Sequence, residues 1–317
     1  YKARLFQGDS LTDLTGGFGI DCSFLATGFK SATYVERQEE LCEIAAHNFP
    51  ILNLNHINVR NEDGVAYLQT MSPVDCIFLD PARRNEHGGK TVAISDCEPN
   101  VAELEALLLN KANRVMIKLS PMLDLSLALK ELKHTQEIHI LSVNNECKEL
   151  LILLGQTSPA EITIHCVNLF TKGTQEEQHF VFTREQEQRS QCTYTDSLGN
   201  YLYEPNASLL KAGAFRSIAA AYPVRKLHPN SHLYTSDTFI ENFPGRIFRI
   251  VNQCSFNKKE VKENLADLKK ANVTVRNFPA TVAELRKRLH LTEGGDTYLF
   301  ASTLNNGQKV IIRCEKV

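Results

Sequence analysis

The chain has 317 residues, of which 43% are hydrophobic and 23% charged, ordinary values for a soluble globular protein and enough for one large or two to three small domains. No apolar run approaches the ~20 residues of a membrane span, and no leader peptide is visible, although an opening Tyr1 rather than Met is what a fragment would show. The net charge of −2 hides an asymmetry: 18 Lys and Arg against 10 Asp and Glu from Tyr201 onward, net +8, and net −10 over residues 1–200, so a phosphate-rich partner suits the second half.

The first half alternates strand and helix signals. An apolar approach, Ser10-Leu11-Thr12, runs into Asp13-Leu14-Thr15-Gly16-Gly17-Phe18-Gly19-Ile20-Asp21, the grammar of a strand, a tight turn and a helix over 20–26 that Gly28 stops. Ala32-Thr33-Tyr34-Val35 predicts a strand ending at Glu36, and an amphipathic helix over 37–48 is closed by Pro50. A short strand at 57–59 and a helix over 63–68 precede Val74-Asp75-Cys76-Ile77-Phe78-Leu79, an apolar run expected of a strand buried on both faces. It ends at Asp80-Pro81-Ala82-Arg83-Arg84. A helix over 99–110, a strand over 114–119 ending at Ser120-Pro121, and a helix capped by Asp124 continue the pattern. Strands at 137–143, 150–154 and 162–169 follow with no long helix between them. Repeated βα units closing in an antiparallel edge predict a doubly wound α/β sheet, with the first domain over 1–200.

Residues 171–200 are rich in Gln, Glu and Thr and read as a surface hairpin or linker. Residues 201–240 read as a connecting helical element, with one helix over 207–221 stopped by Pro223. The tail, 241–317, is a βαβαββ pattern: a capping box at Thr281-Val282-Ala283-Glu284 and a hairpin turn at Asn305-Asn306-Gly307 make it a small, basic α+β domain. Nine cysteines stand singly, with no Cys-x-x-Cys pair, and read as reduced core thiols of a cytoplasmic protein with no metal site.

Glycine-rich first turns serve several nucleotide-like ligands. Here Gly17-x-Gly19 lacks the third glycine of a nicotinamide or flavin fingerprint, and no Gly-Lys-Ser/Thr of a phosphate loop occurs. An acid at the strand end, four residues before Gly17, can meet a cationic amino group while the glycines admit the rest of an amino-acid moiety. These residues resemble the Rossmann-like S-adenosylmethionine-dependent methyltransferases. The resemblance implies that Asp13, Thr15, Gly16, Gly17, Phe18 and Gly19 cradle the cofactor. It also implies that Glu36, with Arg37 beside it, holds the ribose hydroxyls, a carboxylate being able to accept two hydrogen bonds from a vicinal diol. Asp63-Gly64 would meet the adenine, and Asp80 closes the cofactor site.

Asp80-Pro81-Ala82-Arg83 is similar to the Asp/Asn-Pro-Pro-aromatic motif of enzymes that methylate base nitrogens, which makes Asp80 and Pro81 the implied catalytic pair. Ala82 and Arg83 depart from it. Arg83, Arg84, Lys118 and Ser120 are then substrate-side candidates, since a guanidinium can stack on a base or grip a phosphate. A carbon-5 uridine mechanism would need a nucleophilic Cys; only Cys97 is near, in a non-matching context. With Lys118-Leu119-Ser120-Pro121-Met122-Leu123-Asp124, Asn145-Glu146-Cys147-Lys148-Glu149-Leu150, Arg276-Asn277-Phe278-Pro279 and Leu285-Arg286-Lys287-Arg288-Leu289, nearly the whole chain resembles a bacterial methyltransferase family with a C-terminal THUMP-like domain. THUMP domains bind RNA, so the resemblance implies an RNA substrate, with Lys258-Lys259, Lys269-Lys270 and Arg286-Lys287-Arg288 tracking phosphates. The expected activity is methylation of a base nitrogen in tRNA or rRNA. The alternatives are an inactive RNA-binding or assembly protein that keeps the fold, and, behind it, an NAD(P)-dependent oxidoreductase.

Overall fold

The structure is a computed structural model and describes residues 1–83, 93–173 and 177–317, with Arg83 described by its backbone alone. The chain forms two units, Tyr1–Leu141 with Lys148–His165, and Ser142–Cys147 with Cys166–Val317. The first begins with β1 (Gly8–Asp13), α1 (Ile20–Leu25), β2 (Phe29–Glu36), α2 (Glu39–Ile51), β3 (Ile57–Asn61), α3 (Gly64–Thr70) and β4 (Val74–Leu79). A two-residue ladder then pairs β5 (Ala82–Arg83) with β6 (Cys97–Glu98). It is followed by α4 (Val101–Lys111), β7 (Ala112–Leu119), α5 (Leu125–Glu131), β8 (Thr135–Val143), β9 (Glu146–Gly155) and β10 (Thr163–Leu169).

The nine-stranded sheet has the order β11 (Glu177–Thr183)-β10-β8-β9-β7-β4-β1-β2-β3, with β7, β4, β1, β2 and β3 all parallel. The antiparallel strand β9 pairs with β7 and lies between β7 and β8, well inside the sheet rather than on its border. Helices on both faces bury the central strands: Ile77, Phe78 and Leu79 are fully covered, as the unbroken apolar run predicts. On one side α2 sets Cys42, Ala45 and Phe49 against Tyr34 of β2. Between β1 and β4 the chain changes direction of travel through the sheet, and the carboxyl ends there leave a crevice.

In the second unit, residues 171–200 do not stay a linker. They contain β11 (Glu177–Thr183) and α6 (Arg184–Arg189), started by a capping box in which the Gln186 N–H donates to Thr183 Oγ1 (3.1 Å) and the Thr183 N–H to Gln186 Oε1 (2.9 Å). The expected helical connector over 201–240 is also corrected. The segment holds β12 (Tyr201–Pro205), α7 (Ala207–Ala212), α8 (Ser217–Ala221), β13 (Arg225–Lys226) and β14 (Tyr234–Ser236). Gly213, at φ 76°, ends α7 in the left-handed region and splits the single predicted helix in two. The tail supplies β15 (Gly245–Ser255), α9 (Lys258–Leu265), β16 (Asn272–Arg276), α10 (Val282–Leu289), β17 (Thr297–Thr303) and β18 (Lys309–Lys316). The seven strands from β12 to β18 form one sheet, β13-β14-β12-β15-β18-β17-β16, over a core of Leu202, Phe248, Phe300 and Ile312. Glu204, 2% exposed, sits between two guanidiniums: Arg246 Nε donates to it at 2.8 Å and Arg276 Nη2 at 3.1 Å.

Candidate active site

The crevice at the carboxyl ends of β1, β2 and β4 is a cleft of about 510 Å³ lined by Leu14, Thr15, Gly17, Glu36, Arg37, Asp63, Gly64, Asp80 and Ala82. Its far wall is the β6–α4 corner, Glu98, Pro99, Asn100 and Glu103, which sequence reasoning did not assign to the site. Glu36 is the hub. Its Oε2 accepts the Gly17 N–H and its Oε1 the Gln38 N–H, both at 2.9 Å, so each oxygen keeps a lone pair for a ligand diol. The loop is held from below as well: the Gly16 N–H donates to Val35 O (2.9 Å) and the Tyr34 hydroxyl to Gly17 O.

The glycines there have separate reasons. Gly17 and Gly19 take φ of 52° and 76°, and Gly19 is the N-cap of α1. A Cβ on Gly16 would lie 2.3 Å from the Tyr34 ring, and one on Gly64 would lie 2.1 Å from the Leu14 carbonyl oxygen. The second contact is with backbone and cannot be relieved by a rotamer change. Gly64→Ala is therefore expected to cost roughly 1–3 kcal/mol of stability in a denaturant titration, with the Leu14–Thr15 segment displaced. Unchanged stability would refute this reading of the contact.

Asp13 ends β1 but does not line the cleft. It is fully buried beneath it, and its Oδ1 accepts the Thr15 N–H at 3.0 Å. Burial pushes its pKa up to about 7 against the pull of that N–H, with the Asp21 and Asp80 charges adding to the rise. Because the folded value lies above the unfolded one, Asp13 contributes stability fully present below pH ~4 and lost as pH rises through about 7. Thermal melts of wild type and Asp13→Asn from pH 5 to 8 should move steadily in favour of the variant; a pH-independent difference would contradict it.

Asp80 follows β4. Its N–H donates to Thr15 Oγ1 at 2.6 Å, joining the strand end to the glycine loop. Its Oδ2 lies 2.6 Å from Lys118 Nζ, which also meets Asp21 Oδ2 at 2.5 Å; Lys2 then bridges Asp21 Oδ1 (2.7 Å) and Glu149 Oε2 (3.0 Å). Burial raises the Asp80 pKa and the Lys118 hydrogen bond opposes the rise, while Asp21, buried too, is held low by its bonds to Lys118 and Lys2. Lys118 is thus occupied by two carboxylates. Asp21, Lys2 and Glu149 were missed by sequence reasoning; Asp21 alone had a signal, being the acid two residues past Gly19.

The remaining candidates are placed as follows. Asp63 caps α3, its Oδ1 accepting the Val65 and Ala66 N–H groups at 3.0 Å, and still faces the cleft. Arg37 lines the cleft and pairs with Glu98 at 3.3 Å. Pro81 is buried between two cleft residues, Asp80 and Ala82. Phe18 is 68% exposed and outside the cleft lining, as are Gly16 and Gly19. The Ser120 hydroxyl accepts the Met122 N–H at 3.2 Å. Cys97 lies opposite Arg83 in the short ladder, but its thiol is buried rather than presented to the cleft. Arg84 lies outside the described residues, as does the Arg83 side chain.

These residues fit an adenosyl cofactor: a two-oxygen acceptor for a diol, a capped acid for an amino group, and glycines that keep the floor bare. Comparison with known proteins bears on the same question. The profile of a ferredoxin-like domain matches residues 201–244 and that of a THUMP domain-like family matches 245–316. No curated protein matches the chain. The crystal structure of a "putative methyltransferase" from Porphyromonas gingivalis W83 is 37% identical over 100% of this chain and 79% of its own, with a TM-score of 0.90. A SAM-dependent methyltransferase from Agrobacterium tumefaciens (14% identity; 49% of this chain, 59% of that one; TM-score 0.35) and an rRNA methylase from Streptococcus thermophilus (14%; 48% and 90%; 0.35) overlap only part of the chain. With a relative this similar along all 317 residues, the chain belongs to the Rossmann-like, S-adenosylmethionine-dependent methyltransferase family that carries a C-terminal THUMP-like domain.

Proposed function

We propose that the protein transfers a methyl group to a base nitrogen in RNA. The observation that carries this reading is Asp80-Pro81 at the cleft, bonded through Thr15 to the glycine loop, so that acceptor and donor groups share one frame. Glu36 holds the ribose hydroxyls, Asp63 receives the adenine amino group with its free oxygen, and Arg37 borders the same cleft. Asp13 acts beneath the site by shaping Thr15. The sulfonium cofactor supplies an already activated methyl group, which leaves the protein chiefly the work of positioning.

On the acceptor side, the Asp80 carboxylate and the Pro81 carbonyl accept hydrogen bonds from the target amine and aim its lone pair. Lys118, pinned by Asp21, opposes the burial that raises the Asp80 pKa and so favours the ionised, accepting form. RNA as the substrate is supported by the THUMP-like match and by the tail's cations. Lys258, Lys259, Lys269, Lys270 and Lys287 are exposed, whereas Arg286 pairs with Glu293 (3.1 Å) and Arg288 lies over the Phe256 ring.

Two measurements test the reading. Modified nucleosides of RNA from a deletion strain, set against its parent by mass spectrometry, should lack one N-methylated base that returns on complementation. Purified protein should then transfer label from S-adenosylmethionine to that RNA. Identical nucleoside profiles, with cofactor bound and no label moved into any RNA pool, would replace the proposal with the inactive RNA-binding alternative.

A further inference from the structure

Three side chains of the first unit, none of which lines the cleft, converge on a sheet surface. Glu137 and His139 stand two apart on β8, so strand alternation puts them on one face, while Ile138 and Ile140 are buried on the other. His165 stands on β10, the neighbouring strand. His139 Nε2 lies 3.2 Å and His165 Nε2 3.8 Å from the same oxygen, Glu137 Oε2, and the three donor atoms lie within 4.8 Å of one another. This is the one such grouping among the described residues.

We propose that Glu137, His139 and His165 bind a divalent transition-metal ion of the zinc class. Metal–ligand bonds of about 2.0–2.2 Å in a tetrahedral site put donors about 3.4 Å apart, and the two measured separations bracket that value. A hydrogen bond accounts for the shorter contact, whereas the longer one, at 3.8 Å to the same oxygen, is beyond hydrogen-bond reach. Two imidazoles and one carboxylate are borderline-soft and hard donors of the kind zinc accepts, and they leave a fourth position for water beside the half-exposed Glu137. His139 is 2% exposed, and its Nδ1 lies 2.8 Å from the Tyr1 hydroxyl. With Nε2 on the ion, Nδ1 carries the proton and donates to the Tyr1 oxygen, the outer partner that fixes a ligating tautomer.

The two rings stack nearly parallel, 10° apart with centroids at 4.3 Å. One imidazole must turn to bring both lone pairs onto one ion, and His165, the more exposed at 20%, is the one that turns. The ion would join β8 to β10, a cross-link that ligands 26 residues apart give no spacing signature for in the sequence.

The chain, stripped with chelator and dialysed, should take up one Zn2+ in a calorimetric titration and raise its melting temperature. Substituted Co2+ should give the visible bands of a tetrahedral nitrogen–oxygen site. His165→Ala, at the more exposed ligand, should keep the circular dichroism of wild type and lose more than about 100-fold in affinity together with the Co2+ bands. Tyr1→Phe should lose about 10-fold. The proposal is overturned if neither Zn2+ nor Co2+ binds the wild-type chain, or if His165→Ala and Glu137→Gln bind either ion as wild type does.

Discussion

Asp80→Ala is expected to lower single-turnover methyl transfer by about 10³-fold while the cofactor dissociation constant changes by less than about threefold. The asymmetry follows from what each atom of Asp80 does. Its backbone N–H is taken by Thr15 Oγ1 and survives the substitution, so the cofactor loop keeps its tether. Its carboxylate lines the cleft with Oδ2 on Lys118, and on the proposed reading it is the part that orients the acceptor. Asp80→Asn discriminates between two roles. An amide still accepts a hydrogen bond, so if the side chain orients the target amine, Asn should retain at least tenfold more activity than Ala. Equal losses in the two variants would instead assign Asp80 the work of a base. A large loss of cofactor affinity in Asp80→Ala would remove it from the acceptor side altogether.

Glu36→Ala should have the second large effect, a fall of more than about 100-fold in cofactor affinity by calorimetry. Hydrogen bonds to a charged acceptor contribute about 1.5–3 kcal/mol each, and this carboxylate is asked to accept four, two from the chain and two from the ribose. The loss is double: the Gly17 and Gln38 N–H groups lose their partner, and the ligand loses its diol acceptor. Glu36→Gln cannot rescue it fully, because the amide turns a donor toward one of those two N–H groups. Wild-type affinity in Glu36→Ala would overturn the assignment of the ribose to this residue.

Local signals carried the first unit well. The apolar run 74–79 is β4 to the residue, Asp124 caps α5, and the tail's capping box and Asn-Gly turn lie where their chemistry puts them, with Gly307 at φ 85°. What was not legible depends on distant partners. Short strands such as Arg225–Lys226 and Tyr234–Ser236 have too few residues to show alternation, and form because β14 pairs with β12 and β13 in turn pairs with β14. Asp63, the acid that the resemblance assigns to the adenine, lines the cleft and also caps α3, a second job that the motif alone does not announce. Asp21 and Lys118 are 97 positions apart, and no pattern in the chain announces that one fixes the other. Asp13 carries the motif's acid in the expected place but under the floor, because the Thr15 N–H draws its carboxylate inward.

The Thr15–Asp80 bond has a kinetic meaning. With Glu36 gripping Gly17 and Thr15 gripping Asp80, the loop is stapled to two strand ends before any ligand arrives. Cofactor association then requires little ordering of the chain, and the backbone amides of Gly17 and Asp80 should exchange with solvent deuterium slowly even in the free protein.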